Sequence, residues 1–264
     1  MMVNDLIFKM SSYLKFIYNS KNRHGIHSPF IYDLVTKCFN DCTYRSEYDV
    51  LKFYRKSLDH NKNFINVKDF GAGSKVFKTN RRQISRIAKT AGISQKNAQL
   101  LFRIVQYFQP ETILEIGSSL GLATSALALG NKSAKITTLE GCAETANQCQ
   151  IQLEEFKLEN VYLVIIEFAG YFHTLNNLQP AIDFIYFDGN HSCDATLNYF
   201  ERLLPTTNNK SVWIFDDIHW SADMEKAWHH IKMHPTVTVT IDTFQWGIVF
   251  FRTEQAKENF VIRV

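Results

Sequence analysis

Two hydrophobic periods run through this chain, and the place where one gives way to the other divides it. Leu6, Ile7, Met10, Leu14, Ile17 and Tyr18 fall mostly three or four residues apart, as do Phe30, Ile31, Leu34, Val35 and Cys38, so each set lines one face of a predicted helix. His24-Gly-Ile-His-Ser-Pro29 separates the two. Pro29 suits a first helical turn, where its missing N–H costs nothing, and Ser28 suits the capping position before it. His24 and His27 then fall in a connecting loop, in a structural or substrate-edge role. Arg81 to Ala91 reads as helix-like, and Gln99 to Phe108 predicts the helix that leads into a core sheet.

From residue 112 onward short apolar runs take over. Strands are predicted at Ile113–Ile116, Lys135–Glu140, Val161–Ile166, Phe184–Asp188, Val212–Asp216, Val237–Asp242 and Gly247–Phe251. Helical segments separate the first six, which implies parallel crossovers, while the last two are joined by only a few residues, as in a hairpin. The expected class is a doubly wound α/β fold. Its mostly parallel, seven-stranded Rossmann-like sheet has an antiparallel last strand and carries an N-terminal helical extension. The expected division is an extension over 1–97 and a ligand-binding domain over 98–264.

Composition changes this picture in two respects. The chain of 264 residues is 45% apolar, enough for a sizeable core, yet no run approaches the roughly 18 apolar residues of a membrane span. The first residues lack the charged, apolar and small-residue order of a secretion signal, so a cytoplasmic protein is expected. Five scattered cysteines, an odd number, make reduced thiols the expectation. Charge is uneven: between Lys52 and Lys96 twelve Lys and Arg face only Asp59 and Asp69, a balance of +10 in a chain whose net charge is +3. That segment is either a solvated excursion or a face for an anionic partner such as RNA. Asp69-Phe-Gly-Ala-Gly-Ser74 within it reads as a turn-rich loop, a linker or a lid.

The candidate chemistry starts at Ile113-Leu-Glu-Ile-Gly-Ser-Ser-Leu-Gly121. A buried strand ending near Glu115 turns through Gly117, Ser119 and Gly121 into a helix, which lets backbone N–H groups come close to a ligand. The next strand ends at Glu140, about one strand-helix-strand unit later, where a carboxylate can accept both hydroxyls of a ribose. The spacing Gly117-x-x-x-Gly121 differs from Gly-x-Gly-x-x-Gly, and Glu115 stands where a pyrophosphate would arrive. A carboxylate repels that group and attracts an ammonium or sulfonium, which favours S-adenosylmethionine (SAM) over NAD. Phe168 and Ala169, after the third strand, are candidates to flank the adenine.

Two further acidic runs end strands: Phe184-Ile-Tyr-Phe-Asp188-Gly-Asn-His191 and Trp213-Ile-Phe-Asp216-Asp217-Ile-His219. Asp188, Asp216 and Asp217 make an oxygen-rich set suited to Mg2+ or another divalent cation that would hold an acceptor's oxygens and ease its deprotonation. Asp188 also faces the cofactor in this reading. His191 is the candidate general base, with His219 a second candidate. The plainer alternative has Asp188 capping a helix and the Asp216-Asp217 pair shaping a loop.

With these motifs in place, residues 98 to 252 resemble a class I SAM-dependent methyltransferase, nearest in motif layout to the catechol and caffeoyl-CoA O-methyltransferase group. The resemblance implies that Glu115, Gly117 and Gly121 meet the amino-acid part of SAM and that Glu140 binds its ribose. It also implies that Asp188, Asp216 and Asp217 bind metal. The group's lysine base is replaced here by His191. The N-terminal His24-to-Phe30 run and the 69–74 loop resemble segments of uncharacterised Bacteroidetes methyltransferase-like proteins. The implied activity is methyl transfer to an oxygen of a small molecule. An RNA methyltransferase using residues 52–96, an NAD-dependent oxidoreductase, a non-catalytic nucleotide-binding protein and a homodimeric assembly stay open.

Overall fold

A computed structural model describes residues 3–21, 25–68, 70, 77–174 and 181–264. The chain falls into two compact units, a first of Met1–Thr36 with Thr174–Val264 and a second of Lys37–His173.

The first unit opens with α1 (Val3–Asn19) and α2 (Pro29–Leu34). Pro29 begins α2 and the Ser28 hydroxyl accepts the Ile31 N–H, as the sequence predicts. The face of α1 differs from expectation: Leu6, Ile7, Met10, Leu14 and Tyr18 are exposed, and the helix is held instead by buried Phe16. Aromatic contact decides this, because Tyr13 and Phe16 both pack on Phe244, with ring centroids 5.0 and 5.5 Å away.

In the second unit α3 (Glu47–His60) precedes a hairpin of β1 (Phe64–Asn66) and β2 (Arg81–Gln83). Then follow α4 (Ile84–Ala91), α5 (Gln95–Phe108), β3 (Thr112–Ile116), α6 (Leu122–Gly130), β4 (Lys135–Glu140), α7 (Ala143–Glu155), β5 (Val161–Ile165) and α8 (Phe168–Thr174). Arg81–Gln83 is thus strand, not the start of a helix, because its backbone pairs with Phe64–Asn66. The 69–74 loop lies outside the described residues except for Phe70. Parallel pairing sets Glu115 opposite Thr138 and Glu140 opposite Ile165, so both acids lie towards the carboxyl ends of their strands.

The first unit resumes with β6 (Phe184–Phe187), α9 (Cys193–Leu203), β7 (Val212–Asp216), α10 (Ala222–Met233), β8 (Val239–Asp242), β9 (Trp246–Phe250) and β10 (Glu258–Val261). Fully buried runs on β6, β7 and β9 explain why these strands read as almost continuously apolar, whereas β8, equally buried, alternates as Val239-Thr-Ile-Asp242. Strand β9 runs antiparallel to β7 and β8, as the hairpin predicts. Strand β10 was not predicted. It pairs parallel with β8 and buries Phe260 in an otherwise polar run.

The sheet therefore has eight strands, not seven. It is mostly parallel; the second unit contributes β5-β4-β3 and the first β6-β7-β9-β8-β10, each in that order. The doubly wound α/β class stands. Among the described residues no helix is long and apolar enough to cross a membrane.

Candidate active site

In the second unit the turn after β3 is built from backbone that ordinary side chains resist. Gly117 and Gly121 have φ of 103° and 79°, and Ser119 is left-handed too, at 47°. A Cβ on Gly121 would collide with the Tyr54 hydroxyl and come within 2.8 Å of Cys149 Sγ, so only glycine fits there. Tyr54, from α3, donates its hydroxyl to the Leu120 carbonyl at 3.0 Å and fixes the turn from below. The turn is also tied to β4, since the Gly117 and Ser118 N–H groups donate to the Leu139 carbonyl.

Glu140 joins two loops. One carboxylate oxygen accepts the Ser119 N–H and the other the Cys142 N–H, both at 2.9 Å. The side chain is only partly buried. An ionised carboxylate offers about four lone-pair sites to hydrogen-bond donors. The Ile166 N–H donates to the Glu140 carbonyl, which ties the loop leading to Phe168 and Ala169 to the same strand end.

Glu115 occupies a different environment. It is fully buried, and Thr124 and Thr138 each donate a hydroxyl to its Oε2 at 2.6 Å. Its Oε1 is buried without a hydrogen-bond partner. Burial pushes its pKa up to about 7 against the pull of the two hydroxyls, and the Glu140 charge adds to the rise. In this conformation the carboxyl supports the turn and presents no accessible surface to a ligand.

In the first unit Asp188 follows β6, and the next turn carries two consecutive left-handed residues, Asn190 (φ 71°) and His191 (φ 33°). Backbone of this kind persists only where its surroundings enforce it. Asn190 donates to the Tyr199 hydroxyl on α9 at 3.1 Å, which holds the turn. His191 Nε2 lies 3.6 Å from Asp188 Oδ1, within electrostatic range but too long for a hydrogen bond.

Asp216 and Asp217 follow the same strand register into a pair that one amide holds. Gln245 Nε2 donates to Oδ1 of each at 2.7 Å, the Asp217 N–H donates to Asp216 Oδ1, and the Tyr186 hydroxyl donates to Asp216 Oδ2 at 3.2 Å. Burial, together with the neighbouring Asp217 charge, raises the Asp216 pKa to about 6 against the pull of Gln245, His191 and the Asp217 N–H. The sequence reading missed Gln245. Its only signal is a polar residue in the short turn between two buried strands.

These contacts bear on the expected metal centre. Among the described residues no group of three or more His, Cys, Asp or Glu is placed to hold an ion. The amide nitrogen of Gln245 bridges the two carboxylates and takes up one oxygen of each. Asp188, Asp216 and Asp217 are therefore not assembled as a metal site here.

His219 is not a base either. Its Nδ1 meets Glu225 at 2.7 Å and its Nε2 meets Asp242 at 2.9 Å, so neither ring nitrogen is open to a substrate proton. Burial opposes its charge, but the two carboxylates outweigh that and raise its pKa. Phe244 stacks on the ring and Trp228 donates to Asp242, which completes a structural cluster.

A mostly parallel sheet with an antiparallel β9, and a glycine turn facing an acid at the end of the adjacent strand, define a methyltransferase-type α/β fold. Residues 114–218 match the family model described as a methyltransferase domain. Solved structures agree on the fold. The O-methyltransferase of Bacillus cereus in complex with S-adenosylhomocysteine (SAH) is 17% identical, with a TM-score of 0.55 over 83% of this chain and 96% of that one. The O-methyltransferase TomG of Streptomyces achromogenes, involved in tomaymycin synthesis and solved with SAM, is 14% identical, with a TM-score of 0.56 over 83% and 95%. The SAH-bound methyltransferase PaMTH1 of Podospora anserina is 14% identical, with a TM-score of 0.57 over 86% and 97%. No curated protein matches the chain in sequence.

Proposed function

We propose that this chain is a SAM-dependent methyltransferase that methylates an oxygen of a small-molecule acceptor. The observation that carries this is Glu140, a partly open carboxylate bonded to the Ser119 N–H of the glycine turn, within a methyltransferase domain. The solved O-methyltransferases of this fold that hold SAM or SAH support the cofactor and the acceptor atom.

The residues present suit SAM. Glu140 receives the ribose hydroxyls, and Phe168 and Ala169 flank the adenine. Gly117, Ser119 and Gly121 form the turn against which the amino-acid part lies, and Glu115 sets that turn from beneath. Bound SAM supplies a methyl group on a positively charged sulfur, and methyl transfer is a single in-line displacement that needs alignment and a base. His191 takes the acceptor's hydroxyl proton, and the Asp188 carboxylate stabilises the imidazolium that results. Asp216, Asp217 and Gln245 hold the loop after β7 in shape. The chain upstream of residue 98 covers the acceptor or selects it.

Calorimetric titration with SAM, with and without Mg2+, tests the cofactor before any acceptor is known. Micromolar binding that is lost in Glu140→Ala is expected; absence of binding in both conditions would overturn the assignment. SAH release from a panel of hydroxylated aromatic acceptors then tests the base. The expected result for His191→Ala is a hundredfold or greater drop in kcat with SAM affinity unchanged.

A further inference from the structure

The position after Glu140 lacks a side chain, and another part of the second unit fills the space. A Cβ on Gly141 would stand 2.8 Å from Cδ2 and 3.1 Å from Cε2 of Phe70, closer than two such carbons can sit. Phe70 lies outside the 114–218 methyltransferase match and follows β1 of the basic segment. Its ring therefore occupies the place of a residue-141 side chain.

The backbone leading to Phe70 is tied to this turn by four hydrogen bonds. The Asn66 N–H and side-chain amide donate to Glu144 at 2.5 and 3.4 Å. The Lys68 N–H donates to Cys142 Sγ at 3.3 Å, and the Cys142 thiol donates back to the Asn66 carbonyl at 3.5 Å. Cys142 itself is buried. The Lys68 ammonium lies 4.5 Å from the Phe70 ring centroid, in cation–π range. Yet the ring stays 38% exposed beside the carboxylate assigned to the ribose. A purine is joined to the same sugar that Glu140 holds, so it must come to rest against the residues that follow Glu140.

Building on the SAM reading above, we propose that Phe70 is a cofactor-contacting residue: its ring forms the apolar platform for the adenine at Gly141. The hairpin of the basic segment thereby serves the nucleoside pocket. An aromatic platform contributes about 1–3 kcal/mol per stacked base, which corresponds to roughly a five- to hundredfold change in affinity.

The test is calorimetry of the full chain with SAM and with methylthioadenosine, which keeps the nucleoside and lacks the amino acid. Phe70→Ala is expected to weaken both ligands by the same factor within that range, and Phe70→Leu, which keeps apolar volume and folding, by less. Gly141→Ala must push the ring aside, so it weakens binding in the native background and costs nothing further in the Phe70→Ala background. If Phe70→Ala and Phe70→Leu bind both ligands like the unaltered chain while Glu140→Ala fails, the Phe70 assignment falls and the SAM reading survives. An equal Gly141→Ala penalty in both backgrounds likewise overturns the contact. If the unaltered chain binds neither ligand, the SAM reading falls and this inference with it.

Discussion

Glu140 and Asp216 each end a parallel strand, yet the chain holds the two carboxylates in opposite ways. Glu140 is partly open and takes its bonds from main-chain donors, the N–H groups of Ser119 and Cys142. Asp216 is buried and takes its bonds mainly from side chains, Tyr186 and Gln245, with one N–H from Asp217. Main-chain donors belong to the fold and can hold an acid without enclosing it. Side-chain donors close around an acid and make it a joint between loops. The burial that encloses Asp216 raises its pKa to about 6.

The largest expected effect tests the open acid. Glu140→Ala should weaken SAM binding by about 4 kcal/mol, roughly a thousandfold, with only a small change in melting temperature. A smaller loss than that of Asp216→Asn, measured by the same calorimetry, would break the contrast.

The next effect asks whether burial alone sets the ionisation of an enclosed acid, using Glu115. Its folded pKa, about 7, lies above the ordinary 4.5, so the native state binds the proton more tightly. Stability is therefore present below pH 4.5, is lost as pH rises to 7, and is level above. Glu115→Gln removes this slope, and its advantage should grow by about 3 kcal/mol between pH 4 and pH 8 in urea titrations. An unchanged slope would show that another group carries it.

The smallest effect sharpens the account of Asp216. Gln245→Ala leaves two neighbouring carboxylates without their shared amide, which pushes the Asp216 pKa higher still. The expected cost is about 1–2 kcal/mol at pH 8, where Asp216 is ionised, and less at pH 5, where Asp216 holds its proton. Equal costs at the two values would mean that the amide packs without bridging charge.

The same contrast explains what could be read before the structure was known. Glu140 and the glycine turn belong to two continuous runs whose spacing reports a strand-helix-strand unit, so their adjacency was legible. The Asp216 environment depends on Gln245, 29 residues away and in no motif. Glu115 and Glu140 look alike in sequence, since a strand-end acid carries no mark of which will be enclosed. The central strands were legible because they are buried on both faces, whereas α3 hides its buried Leu51, Tyr54 and Leu58 among charged neighbours. The apolar stripe of α1 was legible as helix, but its orientation was not, because rings at 13, 16 and 244 decide it.

Tyr54 carries a consequence for engineering. Its hydroxyl anchors Leu120 and its position forbids any side chain at Gly121, so a residue far upstream of the methyltransferase match is built into the turn at the heart of that match. Helix α3 is thus no detachable cassette. A chimera that grafts another protein's leader onto the downstream half would inherit a loop lacking its keystone, and exchange of acceptor preference between relatives would have to proceed by point changes that leave α3 in place.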